Sequence, residues 1–292
     1  MTTPAASGNG LRWVPLALLP IVAYAVTRTE PAWMVMWALA VAVFAGCKWL
    51  SFVGVIPPPV ASARALAYLF LWPGMDAEGF ILPAYRRTPS GREWLFAAAK
   101  TGAGAALLWS AVRFVPAGQS LLAGWIGMLG LVFLMHFGAF HLLALGWQMA
   151  GFGAKPIMDR PLAARSLAEF WSARWNRGFS DLAHRFIFVP TRRHVGIAGA
   201  TSAVFLTSGL IHELVISVPA RAGFGLPTLY FAFQGAGVLL ERSRWGRRIG
   251  LRRGWAGRLY ALLLVALPAF WLFHPPFVAR VMIPFLEAIG AK

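Results

Sequence analysis

A histidine and a glutamate lie side by side at His212 and Glu213, within the otherwise apolar stretch TSGLIHELVISV. Their order begins like the H-E-x-x-H zinc motif, in which two histidines one helical turn apart bind the metal. The position of the second histidine is held by Ile216, so a metalloprotease site lacks a ligand. A neutral imidazole can instead act as a general base. We interpret His212 as such a base, with bonding to a neighbouring helix or heme ligation as the alternatives.

The residues around His212 are small or polar. Ser208 and Gly209 precede it by one turn, which favours close helix packing over contact with lipid. Glu213 projects about 100° away from His212 on a helix, so the two side chains cannot easily bond each other. We expect Glu213 to be paired with an arginine, protonated or facing a wet cavity, and to support His212 together with Ser208.

Asn176, in the stretch FWSARWN, is the second candidate. An asparagine amide can donate to a developing oxyanion and can also accept a hydrogen bond from a substrate. Asparagine is also common at turns and helix caps. From the residue chemistry alone, that structural interpretation is favoured.

No set of metal ligands is evident. The remaining histidines and the aspartates are spread along the chain: His136, His141, His184, His194 and His274, and Asp76, Asp159 and Asp181. His136 and His141 are five residues apart and do not share a helix face, and His184 and His194 lie in a basic segment where solvation is expected. His274 lies at a predicted external turn. We expect neither a metal nor a bound cofactor.

Composition places these residues in a membrane. The 292 residues are 59% hydrophobic and 13% charged, with a mean hydropathy of +0.64, whereas soluble domains carry roughly 25% charged residues. Apolar stretches long enough to cross a bilayer, about 20 residues each, recur along the chain. They predict an all-α polytopic integral membrane protein with about eight transmembrane helices, at residues 11–27, 31–50, 94–113, 121–149, 195–218, 225–241, 255–273 and 275–291.

The net charge of +17 is unevenly placed. The loops 51–93, 151–194 and 242–254 hold four, eight and six basic residues, while the opposite loops hold only Arg28, Arg113 and Arg221. This asymmetry predicts that the basic loops and both termini face the cytoplasm, as in a bacterial inner membrane. We therefore interpret the charge as a signal of topology and as a means of attracting membrane lipids. Nucleic acid is not expected as a partner.

Two segments within the basic loops are too short or too polar to span the membrane. Residues 57–93, which begin PPPV and include LFLWPGMD, predict a re-entrant or interfacial piece. Residues 166–190 predict an amphipathic interfacial helix, capped by Ser166 and Glu169, broken near Gly178 and stopped by Pro190. The single Cys47 predicts a packing residue. With no repeat or hydrophilic domain, residues 1–292 predict one membrane domain.

The pair FWSARWN and SGLIHEL resembles the membrane-bound O-acyltransferase superfamily, in particular its wax-synthase-like branch. The first stretch resembles the branch's F-W-x-x-R-W-N box and the second its S-G-x-x-H-E helix, with His212 lying 36 residues after Asn176. LFLWPGMD and the terminal LFHPPFVARVMIPFLEAIG are also similar to bacterial members. The resemblance covers the chain from about residue 65 to the end, which marks the motif-bearing core.

The resemblance implies transfer of an acyl group from acyl-CoA to a hydroxyl in a membrane-embedded tunnel, with His212 as the catalytic histidine and Asn176 and Trp175 in the upstream box. A long-chain alcohol is the favoured lipophilic acceptor, which predicts a wax ester synthase. A sterol, a glycan or a specialised metabolite is the alternative acceptor, and a proton-coupled transporter is the alternative of another class. An arginine set is placed to bind the CoA phosphates, although lipid headgroups are an equal use: Arg174, Arg177, Arg185, Arg192 and Arg193.

Overall fold

The computed structural model describes residues 10–53, 62–82 and 86–292. Within these ranges the chain forms helices joined by turns and contains no strand, so the predicted all-α class is confirmed. Many large apolar side chains, such as Leu206 and Leu210, point outward and are exposed. An apolar exterior of this kind suits contact with lipid.

The helices of the described residues follow one another in this order: α1 Leu11–Thr27, α2 Ala32–Val53, α3 Ser62–Leu71, α4 Ala77–Ile81, α5 Gly91–Phe114, α6 Ser120–Met149, α7 Leu167–Glu169 with a π-helical turn Phe170–Arg174, α8 Arg177–Ala220, α9 Leu226–Arg242, α10 Arg244–Arg248, α11 Gly254–Leu272 and α12 Pro275–Phe277, which continues as Val278–Met282 and Ile283–Ala288. A single 3-10 turn, Pro161–Ala163, precedes α7.

Five of the described helices, α2, α5, α6, α8 and α11, are long and apolar enough to cross a membrane, judged by length and composition. α1 is a shorter apolar helix. α9 has 17 residues and packs along α8. These helices coincide within a few residues with seven of the predicted spans, except that α8 begins earlier because it includes the interfacial segment.

The predicted span at residues 275–291 is not among the described helices that are long and apolar enough to cross a membrane. The pieces Pro275–Phe277, Val278–Met282 and Ile283–Ala288 follow one another without a break, since a π-helical turn precedes Pro284, but the helix ends at Ala288 and is shorter than the about 20 residues that a bilayer core requires. Arg280 in its middle donates to a carbonyl at the end of α8, at 3.0 Å. Gly290 near its end accepts from Arg113 at 2.7 Å. The C-terminal segment therefore lies on the side of Arg113, opposite to the basic loops where the sequence predicted it.

The predicted interfacial helix is partly confirmed. Ser166 caps its start, accepting from the Glu169 N–H at 3.1 Å. Pro190 does not end it, since the chain passes that proline after a π-helical turn, His184–Phe188, and stays helical. The break comes at Gly196, whose φ of 71° belongs to the left-handed region that glycine adopts readily.

The segment that contains LFLWPGMD folds back on itself beside the basic loops. The ring of Trp72 stacks on Phe80, with centroids 5.6 Å apart, and joins α3 to α4. Lys155 of the basic loop 151–194 forms an ion pair with Asp76 at 3.4 Å. The PPPV stretch with which the predicted re-entrant piece begins lies outside the described residues.

Candidate active site

His212 lies near the end of α8, on the part of the helix that packs against α9. Gly209 makes this contact close, because a β-carbon built there would lie 2.8 Å from the α-carbon of Thr228. The Ser208 hydroxyl turns back to its own helix and donates to the Val204 carbonyl at 3.0 Å. The close packing that the small residues predicted around His212 is therefore present.

The imidazole of His212 has a fixed orientation. Its Nδ1 atom lies 2.7 Å from the carbonyl oxygen of Ser208. A carbonyl oxygen can only accept, so Nδ1 carries the proton and Nε2 keeps a free lone pair. The ring lies against Phe231, with centroids 4.4 Å apart and planes tilted by 40°. Of the residues that the structure describes, none hydrogen-bonds to Nε2, so the geometry leaves one proton acceptor for a ligand.

Glu213 faces the start of α9. Its Oε1 atom accepts from the backbone N–H groups of Gly225 and Thr228, at 2.9 and 3.0 Å, and from the Thr228 hydroxyl at 3.0 Å. The first N–H groups of a helix lack partners within it, and a negative charge is favourable there. Glu213 is thus bound by a helix terminus, an environment that the sequence did not suggest, while its Oε2 is buried without a partner among the described residues.

Asn176 lies where the interfacial segment changes direction. Its backbone is left-handed, with φ 42° and ψ 60°, a conformation that asparagine tolerates better than most residues. This is the break that the sequence placed near Gly178, two residues later. The backbone N–H points to the sulfur of Met158 at 3.2 Å. The side-chain amide forms no hydrogen bond with any described residue, His212 included, so it is available to a ligand.

Packed aromatic rings connect the two motifs. Trp175 stacks on Phe170, with centroids 5.6 Å apart, and Phe170 contacts Trp171 at 5.1 Å. Trp171 packs on Phe231 at 5.7 Å, and Phe231 is the ring that touches His212. The sequence reasoning missed Phe231, because it is one aromatic residue among several in an apolar helix. The two motifs therefore meet through α9.

The LFLWPGMD segment reaches the same place. Met75 is buried, and Phe179 and Ile211 pack against its cluster. Phe179 follows Asn176 by three residues, and Ile211 directly precedes His212. Met75 therefore belongs to a cluster that residues next to both motifs contact.

A buried lysine holds this segment to α2. Lys48 is only 2% exposed, and its Nζ donates to the carbonyl of Gly74 and lies 3.4 Å from the centroid of the Tyr68 ring. It forms no ion pair with a carboxylate within the described ranges. The sequence reasoning missed Lys48, although a lysine in an apolar span is itself a signal of a special role. Its neighbour Cys47 is buried, as predicted for a packing residue.

Arg174, one of the arginines considered for phosphate binding, is directed inward. Its Nη2 and Nε lie 2.7 and 2.9 Å from Oε1 of Glu169. Partial burial alone would raise the pKa of Glu169, but the Arg165 N–H and the Arg174 guanidinium outweigh it and hold that pKa below its usual range. The Glu169 carboxylate therefore neutralises Arg174, and this ion pair stabilises the FWSARWN stretch.

The other arginines of that set remain on the basic side. Arg192 and Arg193 are exposed just before the break in α8, and neither pairs with a described carboxylate. Arg185 is also exposed. Arg177 lines a small cavity together with Lys155. These four, unlike Arg174, are placed where a phosphate could approach them.

The remaining histidines have separate environments. Nδ1 of His141 lies 2.7 Å from Nζ of Lys100, whereas Nδ1 of His136 is buried with no partner among the described residues. The two do not form a common site, in agreement with their spacing. His274, at the predicted external turn, is fully buried, and its Nδ1 accepts from the Phe277 N–H at 3.2 Å. Two histidines are exposed as predicted, His184 and His194.

Comparison with known proteins finds similarity to one family of membrane enzymes. Residues 154–233, which hold FWSARWN, His212 and Phe231, match a family model described as "Membrane bound O-acyl transferase family". The family match falls on the segment that holds the two motifs, in agreement with the resemblance that they carry.

Three relatives are plant proteins that are named as O-acyltransferases. The chain is 29% identical over 155 residues to "Probable long-chain-alcohol O-fatty-acyltransferase 2" of Arabidopsis thaliana. This match covers 49% of the chain and 43% of that protein. The chain is 30% identical over 140 residues to "Long-chain-alcohol O-fatty-acyltransferase" of Simmondsia chinensis, covering 44% and 40%. It is 24% identical over 145 residues to "Acyl-CoA--sterol O-acyltransferase 1" of Arabidopsis thaliana, again covering 44% and 40%. The chain thus spans less than half the length of these relatives.

Proposed function

We propose that this protein is a membrane O-acyltransferase that moves a fatty acyl group from acyl-CoA to a long-chain alcohol and so makes a wax ester. The observation that carries the proposal is the orientation of His212, whose Nδ1 is bound to Ser208 while Nε2 remains a free proton acceptor. The match to the acyltransferase family model supports acyl transfer, and the names of two relatives specify a long-chain alcohol.

In the proposed reaction, Nε2 of His212 removes the proton of the acceptor hydroxyl while that oxygen attacks the thioester carbon. The carbonyl oxygen becomes an oxyanion, to which the free side-chain amide of Asn176 donates. When the carbon–sulfur bond breaks, the imidazolium returns the proton to the CoA thiolate, and an ester and free CoA leave. The transfer is direct and needs neither an acyl-enzyme nor a bound cofactor.

Apolar surroundings of His212 support a lipophilic acceptor. Each buried methylene of an acyl chain or alcohol contributes about 0.8 kcal/mol, so an apolar tunnel near Phe231 and Trp171 would hold both substrates. A sterol is the alternative acceptor, because one relative carries that activity in its name. A glycan or a specialised metabolite has no comparable support. The transporter hypothesis is weaker, since Glu213 is bound to α9 instead of extending a relay from His212.

We place the side that carries the basic loops in the cytoplasm, as in a bacterial inner membrane. Loops rich in lysine and arginine stay on the cytoplasmic side of a membrane. Trp13 packs against Phe186 at 5.8 Å, so the start of α1 lies on that side. Acyl-CoA would arrive from the same side, where its phosphates can meet Arg192 and Arg193, along with Arg177 and Arg185.

The proposal is tested on membranes that contain the protein, supplied with labelled palmitoyl-CoA and one acceptor at a time: hexadecanol, a sterol or a diacylglycerol. We expect labelled wax ester from hexadecanol, absent from membranes without the protein. Labelled steryl ester would instead select the alternative acceptor. Membranes that produce no labelled ester and release no CoA with any of the three would contradict the proposal. His212→Ala should abolish the product, and His194→Ala, at an exposed histidine of the same helix, should not.

A further inference from the structure

A cavity of about 330 Å³ opens on the side opposite to the basic loops. The turn between α1 and α2 forms one wall, the last turn of α8 forms the second, and α12 contributes the third. Three arginines line it, Arg28, Arg221 and Arg280, together with one acidic residue, Glu30. The cavity is separate from the candidate active site and is used by no step of the proposed reaction.

The basic residues of this side are concentrated at the cavity. The loops opposite to the basic side contain only Arg28, Arg113 and Arg221. Two of these three line the cavity, and Arg280 joins them from α12. Arginines are disfavoured in short loops on this side of a membrane, so their concentration at one place calls for a cause other than topology.

Two of the three guanidinium groups are anchored by hydrogen bonds, and none of the three is neutralised by a described carboxylate. Arg221 donates from Nη2 to the carbonyl of Arg28 at 3.0 Å, and Arg280 donates from Nη1 to the carbonyl of Ala220 at 3.0 Å. None of the three arginines forms an ion pair with a carboxylate in the described part of the chain, Glu30 included. Because a guanidinium has five N–H donors, most of them stay available.

Capping of α8 accounts for only part of this arrangement. A cation near the last carbonyls of a helix is favourable, which explains one hydrogen bond of Arg280. It does not explain Arg28, whose side chain bonds to no described residue, or the open volume between the three walls. The cavity therefore has the properties of a site for an anion.

We propose that this cavity binds a phosphate group, supplied by the headgroup of an anionic lipid in the adjoining leaflet or by free phosphate. Arginine suits this ligand, since two of its N–H groups can bind two phosphate oxygens at once. Three guanidiniums against one Glu30 carboxylate leave a net positive charge. Tyr24, which also lines the cavity, is 40% exposed on α1, where an aromatic ring suits the membrane interface.

The test measures binding of a short-chain phosphatidylglycerol to the full-length protein in detergent, beside phosphatidylcholine and inorganic phosphate. We expect a preference for phosphatidylglycerol over phosphatidylcholine. The double variant Arg28→Gln with Arg280→Gln should weaken its binding by about tenfold or more. Glu30→Gln should tighten it by about threefold, because a negative charge leaves the cavity. Arg113→Gln, at an arginine of the same side that lies outside the cavity, should bind as the wild type does.

The arms of the experiment separate the two sources of phosphate. Competition by inorganic phosphate at millimolar concentration shows that the site binds the free anion, whereas its failure to compete with bound lipid shows that the headgroup is required. Thermal unfolding of each variant checks that the fold is retained. Equal binding by wild type and the double variant would overturn the proposal, as would a wild type that binds neither phosphatidylglycerol nor phosphate. Neither result depends on whether acyl transfer is observed.

Discussion

Oε1 of Glu213 lies 3.0 Å from the backbone nitrogen of Thr228, across the contact between α8 and α9. His212 is on the same turn of α8, and α9 carries Phe231, whose ring lies 4.4 Å from the imidazole. The carboxylate therefore ties the two helices together beside the candidate base. An acidic residue next to His212 in an apolar helix is explained by this contact, without a metal or an ion pair.

Two substitutions of Glu213 should distinguish the loss of its hydrogen bonds to α9 from the loss of its charge. Glu213→Ala removes the acceptor of three hydrogen bonds and should lower the free energy of unfolding by about 1 to 3 kcal/mol. Glu213→Gln keeps a carbonyl oxygen at the same position and should lose less than half as much. Thermal unfolding in detergent measures both. An alanine variant as stable as the wild type would show that the contact with α9 is unimportant.

Two substitutions of Asn176 should distinguish its backbone from its amide. Asn176→Gly keeps the left-handed backbone but lacks the amide, so its stability should stay near that of the wild type while the rate of ester formation falls about 100-fold. Asn176→Ala should lose activity and, in addition, about 1 kcal/mol of stability, because alanine resists the left-handed region. Full activity of the glycine variant would exclude the amide from the reaction.

Lys48 should be needed for both stability and activity. Lys48→Met leaves the Gly74 carbonyl without a donor, which costs about 1 to 3 kcal/mol, and loosens the segment that carries Met75, whose cluster contacts residues next to both motifs. Lys100→Met is the matched control, since Lys100 is also in an apolar helix but bonds to His141, away from that segment. The measurements are thermal unfolding and the rate of ester formation. A fully active Lys48→Met would refute the positioning role.

The sequence predicted those features that depend on local composition. The length of an apolar stretch decides whether it can span a bilayer, so the predicted 121–149 matches Ser120–Met149 closely. The same criterion was less successful at 275–291, where the helix ends at Ala288 and is too short to be a candidate span. The expected stop at Pro190 was wrong because a π-helical turn lets the helix continue past the proline.

The features that the sequence did not reveal are contacts between distant segments. Lys48 and Gly74 are 26 residues apart, and Glu213 and Thr228 are 15 residues apart. No periodicity or motif links such pairs, since helix packing alone brings them together. The box and the histidine helix could be recognised from their residues, whereas Phe231, which lies between them, could be found only from the fold.

The central claim is that Nε2 of His212 is the base, and the variant His212→Asn tests it most directly. In His212→Asn the amide nitrogen takes the place of Nδ1 and can still donate to Ser208, but no proton acceptor replaces Nε2. The measurement is the initial rate of labelled ester formation at equal amounts of protein in the membrane, with His194→Asn as the control. We predict a fall of about 100-fold or more for His212→Asn with unchanged thermal stability, and no change for the control. A rate within about threefold of the wild type for His212→Asn would contradict the account, since general base catalysis contributes more than that.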